Sequence, residues 1–118
     1  MAHQVYEFDE YFVLNDGKVI ANKVFSECIQ FGVKETSYYV DEDDMLCTMV
    51  HCHTDDGFAR HSWSELGSCL GKVKYTYSSQ DIKEAEFLIL MEKYFPNIKP
   101  SKVSAVTKYL VKKLKKEK

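Results

Sequence analysis

The run Met45-Leu46-Cys47-Thr48-Met49-Val50-His51-Cys52-His53 concentrates thioether, thiol and imidazole groups in nine residues. Read as a strand, period two places Met45, Cys47, Met49, His51 and His53 on one face and Leu46, Thr48, Val50 and Cys52 on the other. Residues two apart on a strand stand roughly 6.5 Å apart at Cα, near enough for His51 and His53 to converge on one ion. Cys47 and His51 are roughly 13 Å apart along a straight strand, too far to share that ion. A tetrahedral Zn²⁺ site on His51 and His53 therefore needs a further ligand, for which His61, Asp55, Asp56 and Cys69 are the candidates. With water in an open position such a site would support hydrolysis. The plainer reading of His-x-His is a sheet face whose polar end emerges near a loop.

The same histidines offer a metal-free alternative. His51, His53 or His61 can act as general acid or base, with Ser62, Ser64, Cys52 or Cys69 as nucleophile. No Gly-rich phosphate loop, nucleophile elbow or His-Glu-x-x-His pattern accompanies them, so the parts lack a recognisable arrangement. Asp41-Glu42-Asp43-Asp44 does not match the Ca²⁺-loop spacing and reads as a solvated hairpin tip.

Charge points to a different class of function. The chain carries 16 Lys and Arg against 18 Asp and Glu, a net charge of −2, but the balance is uneven. Residues 101–118 hold seven Lys against Glu117, so the body is acidic and the C-terminal segment basic. Lys108, Lys112, Lys115 and Lys116 can meet a charged partner or the phosphates of a nucleic acid. Arg occurs once, at position 60, and base reading favours Arg, so sequence-specific DNA recognition is poorly supported. A Lys-faced amphipathic helix that merely faces solvent is the plainer reading. Trp63, beside Arg60 and His61, is the best single candidate for an interface anchor, since Trp and Arg are enriched among binding hot spots. A lone Trp in a small domain more often fills the interior.

The elements that must position these groups follow from periodicity. Residues 4–14 mix aromatic and β-branched types on both parities, as a strand covered on both faces near its end would. Asn15-Asp16-Gly17-Lys18 signals a tight turn. Beyond it, Val19, Ala21, Lys23 and Phe25 alternate as in a strand. Ile20, Val24, Cys28 and Phe31 instead recur at helical spacing before Gly32, and a helix over 20–31 is favoured. Residues 35–40 and 45–53 form a hairpin around the acidic reversal. Ser62 with Glu65 suggests a short capped helix over residues 62–67, in a segment that Gly71 ends. Residues 72–77 alternate as a half-buried strand.

Ser78 and Asp81 form an acidic variant of the capping box, and Pro96 stops the helix that follows over 79–95. Its apolar residues, including Phe87-Leu88-Ile89-Leu90-Met91, cover most of the circumference, which predicts a buried, central helix. Pro100 and Ser101 open a last helix over 101–116, with Val103, Val106, Leu110 and Leu114 on one stripe and lysines opposite.

The sum is a single α+β domain over residues 1–118: an antiparallel sheet of about four strands packed on one face by helices, ending in two C-terminal helices. The five apolar residues from Phe87 to Met91 form the longest such run, far short of a membrane span. The N-terminal residues lack a basic segment followed by an apolar one, and four irregularly spaced Cys read as reduced thiols. A cytoplasmic protein is the expectation. Its leading function is binding a macromolecular partner, a protein or a second copy of itself. Non-specific nucleic-acid binding and a metal or hydrolytic site on His51 and His53 are the alternatives, with Zn²⁺ the one cofactor under consideration.

Overall fold

Five antiparallel strands in chain order and two helices after them make up an α+β fold, seen in a computed structural model that describes residues 3–100 and 102–117. The strands are β1 (His3–Leu14), β2 (Val19–Ile29), β3 (Gly32–Val40), β4 (Met45–Asp55) and β5 (Arg60–Tyr77), and they close into a barrel. The helices are α1 (Ser79–Tyr94) and α2 (Ala105–Lys116). The chain divides into two compact units, one reaching to Lys74 and the other beginning at Tyr75. No helix among the described residues is long and apolar enough to cross a membrane.

In the first unit each reversal is built by its own residues. Asp16 Oδ1 accepts the Lys18 N–H at 3.0 Å, and Gly17 takes φ of 94°. Asp41 Oδ1 accepts the N–H groups of Asp43 and Met45 at 2.8 and 2.9 Å, so the acidic reversal is a self-capped hairpin turn. The Asn15 N–H donates to the Lys72 carbonyl at 2.9 Å, and the Val73 N–H to the Asp44 carbonyl at 2.8 Å. Phe12, Leu14 and Leu46 form the core cluster, with Ile20, Tyr38 and Val73 packed against it. Val13 is buried too, so the end of β1 is covered on both faces, as its mixed parities anticipate.

Residues 20–31 are a strand, not the helix favoured from the sequence. β2 pairs with β1 along one edge and with β3 along the other, from Phe25↔Thr36 to Ile29↔Gly32. A ladder with β1 along most of the strand and a second with β3 over Phe25–Ile29 hold this segment extended, and that tertiary pairing outweighs a weak i, i+4 recurrence. Gln30 and Phe31 make the two-residue turn, with Phe31 at φ 64°. A side chain in the left-handed region costs about 1–2 kcal/mol. Phe31→Gly is therefore expected to stabilise the protein by about 1 kcal/mol, read as a raised urea midpoint with unchanged slope.

Residues 62–67, expected as a short helix, belong to β5. Six residues are too few to hold a helix without packing, whereas β4 offers Cα partners from Met49↔Leu66 to Asp55↔Arg60. Nearer the core the register slips twice: Leu46 faces Gly71, Cys47 faces Cys69 and Met49 faces Leu66. β5 thus advances five residues while β4 advances three, and the surplus bends β5 as bulges do. Gly67 sits in this bend, where a Cβ would strike Thr48 Oγ1, the oxygen that accepts the Ser68 N–H at 3.0 Å.

In the second unit, α1 starts as the sequence predicts. Asp81 Oδ2 accepts from the Ser78 N–H at 2.9 Å and from Ser78 Oγ at 3.3 Å. The expectation that 79–95 is buried is corrected: only Ala85 is, while Phe87, Leu90 and Tyr94 are 61%, 52% and 64% exposed. Apolar residues encircle α1, and α2 covers only one side of it. The last helix begins at Ala105 rather than 101, because Ser104 Oγ accepts the Thr107 N–H at 3.2 Å and caps it there. Ser101 lies outside the described residues. Leu110 and Thr107 are buried, the tilted rings of Tyr75 and Tyr109 lie 5.1 Å apart between centroids, and Lys115 Nζ meets Glu92 Oε2 at 2.8 Å.

Candidate functional site

The histidines of β4 lie in the first unit and the lysines of α2 in the second. On β4 and β5, the ladder sets His51 opposite Ser64 and His53 opposite Ser62. Their side chains touch: Ser64 Oγ lies 2.7 Å from His51 Nδ1, and Ser62 Oγ 3.1 Å from His53 Nδ1. Glu35 is the β3 partner of His51, so acid, imidazole and hydroxyl share one row across three strands.

His61 does not join them. It pairs with Thr54, one residue out of step, and the pleat sends its side chain to the opposite face from Ser62. Among the described residues, no three His, Cys, Asp or Glu side chains gather as a metal shell requires. Arg60 and Trp63 are likewise separated by the pleat, three residues apart on one strand. Arg60 Nε donates to Asp55 Oδ2 at 3.2 Å, and Trp63 lies opposite Cys52. The neighbouring turn is held by Asp56, whose Oδ1 accepts the N–H groups of Ala59 and Phe58. Those two N–H groups hold its carboxyl below the usual carboxylate range. A cleft of about 350 Å³ at this end is lined by Phe31, His53, Arg60, His61 and Ser62, whereas the closer pair, His51 and Ser64, lies outside it.

In the helical unit, α1, the segment before α2 and α2 itself enclose a groove of about 580 Å³. Leu88 and Met91 of α1, Ile98 and Val103 of the intervening segment, and Val111 of α2 supply apolar walls. Lys99, Lys108, Lys112 and Lys115 stand around them, against the single acid Glu92. Glu92 is engaged by Lys115, and Lys99, Lys108 and Lys112 have no ion-pair partner among the described residues. A second hollow of about 800 Å³ meets this groove at Leu88 and Val103 and adds Phe87, Lys83, Lys102 and the acid Glu84. Of the basic residues expected to contact a partner, Lys108, Lys112 and Lys115 line the groove, and Lys116 does not.

The sequence reading missed the apolar half of this groove. Ile98 and the two prolines that flank it were legible only as a loop, and Val103 was assigned to the helix stripe. The one available signal was the surplus of apolar residues on α1, which α2 alone cannot cover. Comparison of the chain with protein-family models, with curated proteins and with solved structures finds no match.

Proposed function

We propose that the protein acts by binding another protein, and that the groove between α1 and α2 receives an amphipathic helical segment carrying acidic side chains. One observation carries this reading: an apolar trough walled by Leu88, Met91, Ile98, Val103 and Val111 is rimmed by lysines with a single acid among them. Helix-in-groove recognition uses this combination, with apolar anchors at i, i+3, i+4 and i+7 for affinity and flanking charge for orientation and specificity. The two hollows meeting at Leu88 and Val103 give the trough length for more than one anchor.

The test is fluorescence polarisation with labelled helical peptides sharing one set of Leu anchors and differing in their flanks, all Glu or all Lys. The Glu-flanked peptide is expected to bind more tightly, and Lys108→Glu with Lys112→Glu to weaken it by about tenfold or more. The doubly substituted protein should in turn favour the Lys-flanked peptide. Equal affinity for both flanks, unmoved by the substitutions, overturns the reading. A single-stranded oligonucleotide that outcompetes both peptides, with affinity falling steeply as salt rises, replaces it with nucleic-acid contact through the same lysines. Concentration-dependent sedimentation without any peptide would instead assign the groove to a second copy of the chain.

A further inference from the structure

Tyr39, Cys47 and Cys69 occupy one row across β3, β4 and β5, and the two cysteines are direct Cα partners on antiparallel strands. Residues so placed stand about 4.5–5.5 Å apart at Cα, inside the window of about 4.4–6.8 Å that a disulfide spans. The sulfurs are 2.9 Å apart, so bond formation asks them to close by only about 0.9 Å. Cys47 is buried and Cys69 is exposed. Among the described residues no such partner faces the other two thiols: Cys28 pairs with Val33, and Cys52 lies between Lys34 and Trp63.

We propose that Cys47 and Cys69 form a reversible dithiol–disulfide couple, oxidised by low-molecular-weight disulfides and reduced by small thiols. Exposure makes Cys69 the entry point. Its thiolate attacks one sulfur of the small disulfide, a mixed disulfide forms at Cys69, and one equivalent of small thiol leaves with the proton Cys69 gave up. The Cys47 thiolate then attacks Cys69 Sγ, the Cys47–Cys69 bond forms, and the second small thiol leaves with the proton from Cys47. Two thiols are oxidised and one small disulfide is reduced to two thiols.

The order of steps has electrostatic support. Contact with the Cys69 sulfur, then burial, push the Cys47 thiol above its ordinary pKa, while a hydrogen bond from Tyr39 favours its thiolate. Once Cys69 is in a mixed disulfide, its own sulfur is the nearest electrophile to Cys47. The cross-link falls where the β4–β5 register slips on both sides of Cys47, so it fastens the part of β5 least held by its ladder.

The experiment incubates the whole protein in buffers of graded oxidised to reduced glutathione, then alkylates free thiols and maps peptides by mass spectrometry. Two of the four thiols should become protected together, the linked peptides should contain Cys47 and Cys69, and dithiothreitol should restore both. Oxidation should also raise the thermal midpoint by on the order of 10 °C. Cys47→Ala should stop at a glutathione adduct on Cys69, and Cys69→Ser, a change at an exposed position, should leave Cys47 unmodified. A lasting glutathione adduct on Cys69 in the unsubstituted protein, a linkage through Cys28 or Cys52, or four free thiols at every ratio would each overturn the couple.

Discussion

Leu46→Ala is expected to destabilise the barrel by about 2–5 kcal/mol, the loss typical of a fully buried leucine that leaves a cavity behind. Leu46 is 0% exposed and packs with Phe12 and Leu14, the other members of the core cluster. These are held by β1 and β4, and β1 is fastened to its neighbours by the bond from Asn15 to Lys72, so the cavity cannot easily collapse. A domain's whole stability is about 5–15 kcal/mol, so the change is a large share of it. Urea unfolding followed by the fluorescence of Trp63, the one tryptophan, reports on this unit. Leu66→Ala is the matched control: Leu66 is 74% exposed, and its loss should stay within about 0.5 kcal/mol. Equal midpoints for the two variants would contradict the placement of the core.

Gly32→Ala is expected to cost at least about 2 kcal/mol, because the obstacle is backbone and cannot swing aside. A Cβ on Gly32 would fall onto the His53 carbonyl oxygen and lie 2.8 Å from the Thr54 Cα. Relief requires β3 and β4 to part where Gly32 pairs with Thr54, which also moves His53 away from Ser62. Amide hydrogen exchange should show faster exchange at residues 32–34 and 52–55 in the variant, with the 45–47 segment unchanged. Exchange rates unaltered in both segments would mean the strands are not so close. The contrast with Phe31→Gly is informative, since adjacent positions in one turn respond in opposite directions to gaining and losing a side chain.

What the sequence discloses here follows the strength of local signals. Turn chemistry at Asn15–Lys18 and Asp41–Asp44, the Ser78–Asp81 box and the Pro96 stop act within a few residues, and the structure has each of them in place. Residues 20–31 carried two periodicities at once and 62–67 a helix-capping signal, and neighbouring strands decided the outcome at both. Of the candidate site, Lys108, Lys112 and Lys115 were legible because charge clusters show in one dimension. The juxtaposition of His51 with Ser64 and of Cys47 with Cys69 was not, since each joins residues on separate strands through a register that local propensity does not set. The exposure of Phe87, Leu90 and Tyr94 was hidden for a related reason: a helix apolar all round looks the same in sequence whether it is enclosed or awaiting cover.

The two unmatched residues in β5 between Leu66 and Gly71 set the phase of everything distal to them. Losing one residue there would leave the alternation of 72–77 as it is but invert it over 60–66. Trp63 would then stand opposite His51 and His61 opposite His53, and the two serines would be turned to the far side. A gene carrying such a one-codon deletion would still encode the same barrel floor beneath a differently equipped surface, which makes this short stretch the cheapest place in the chain for new chemistry to arise.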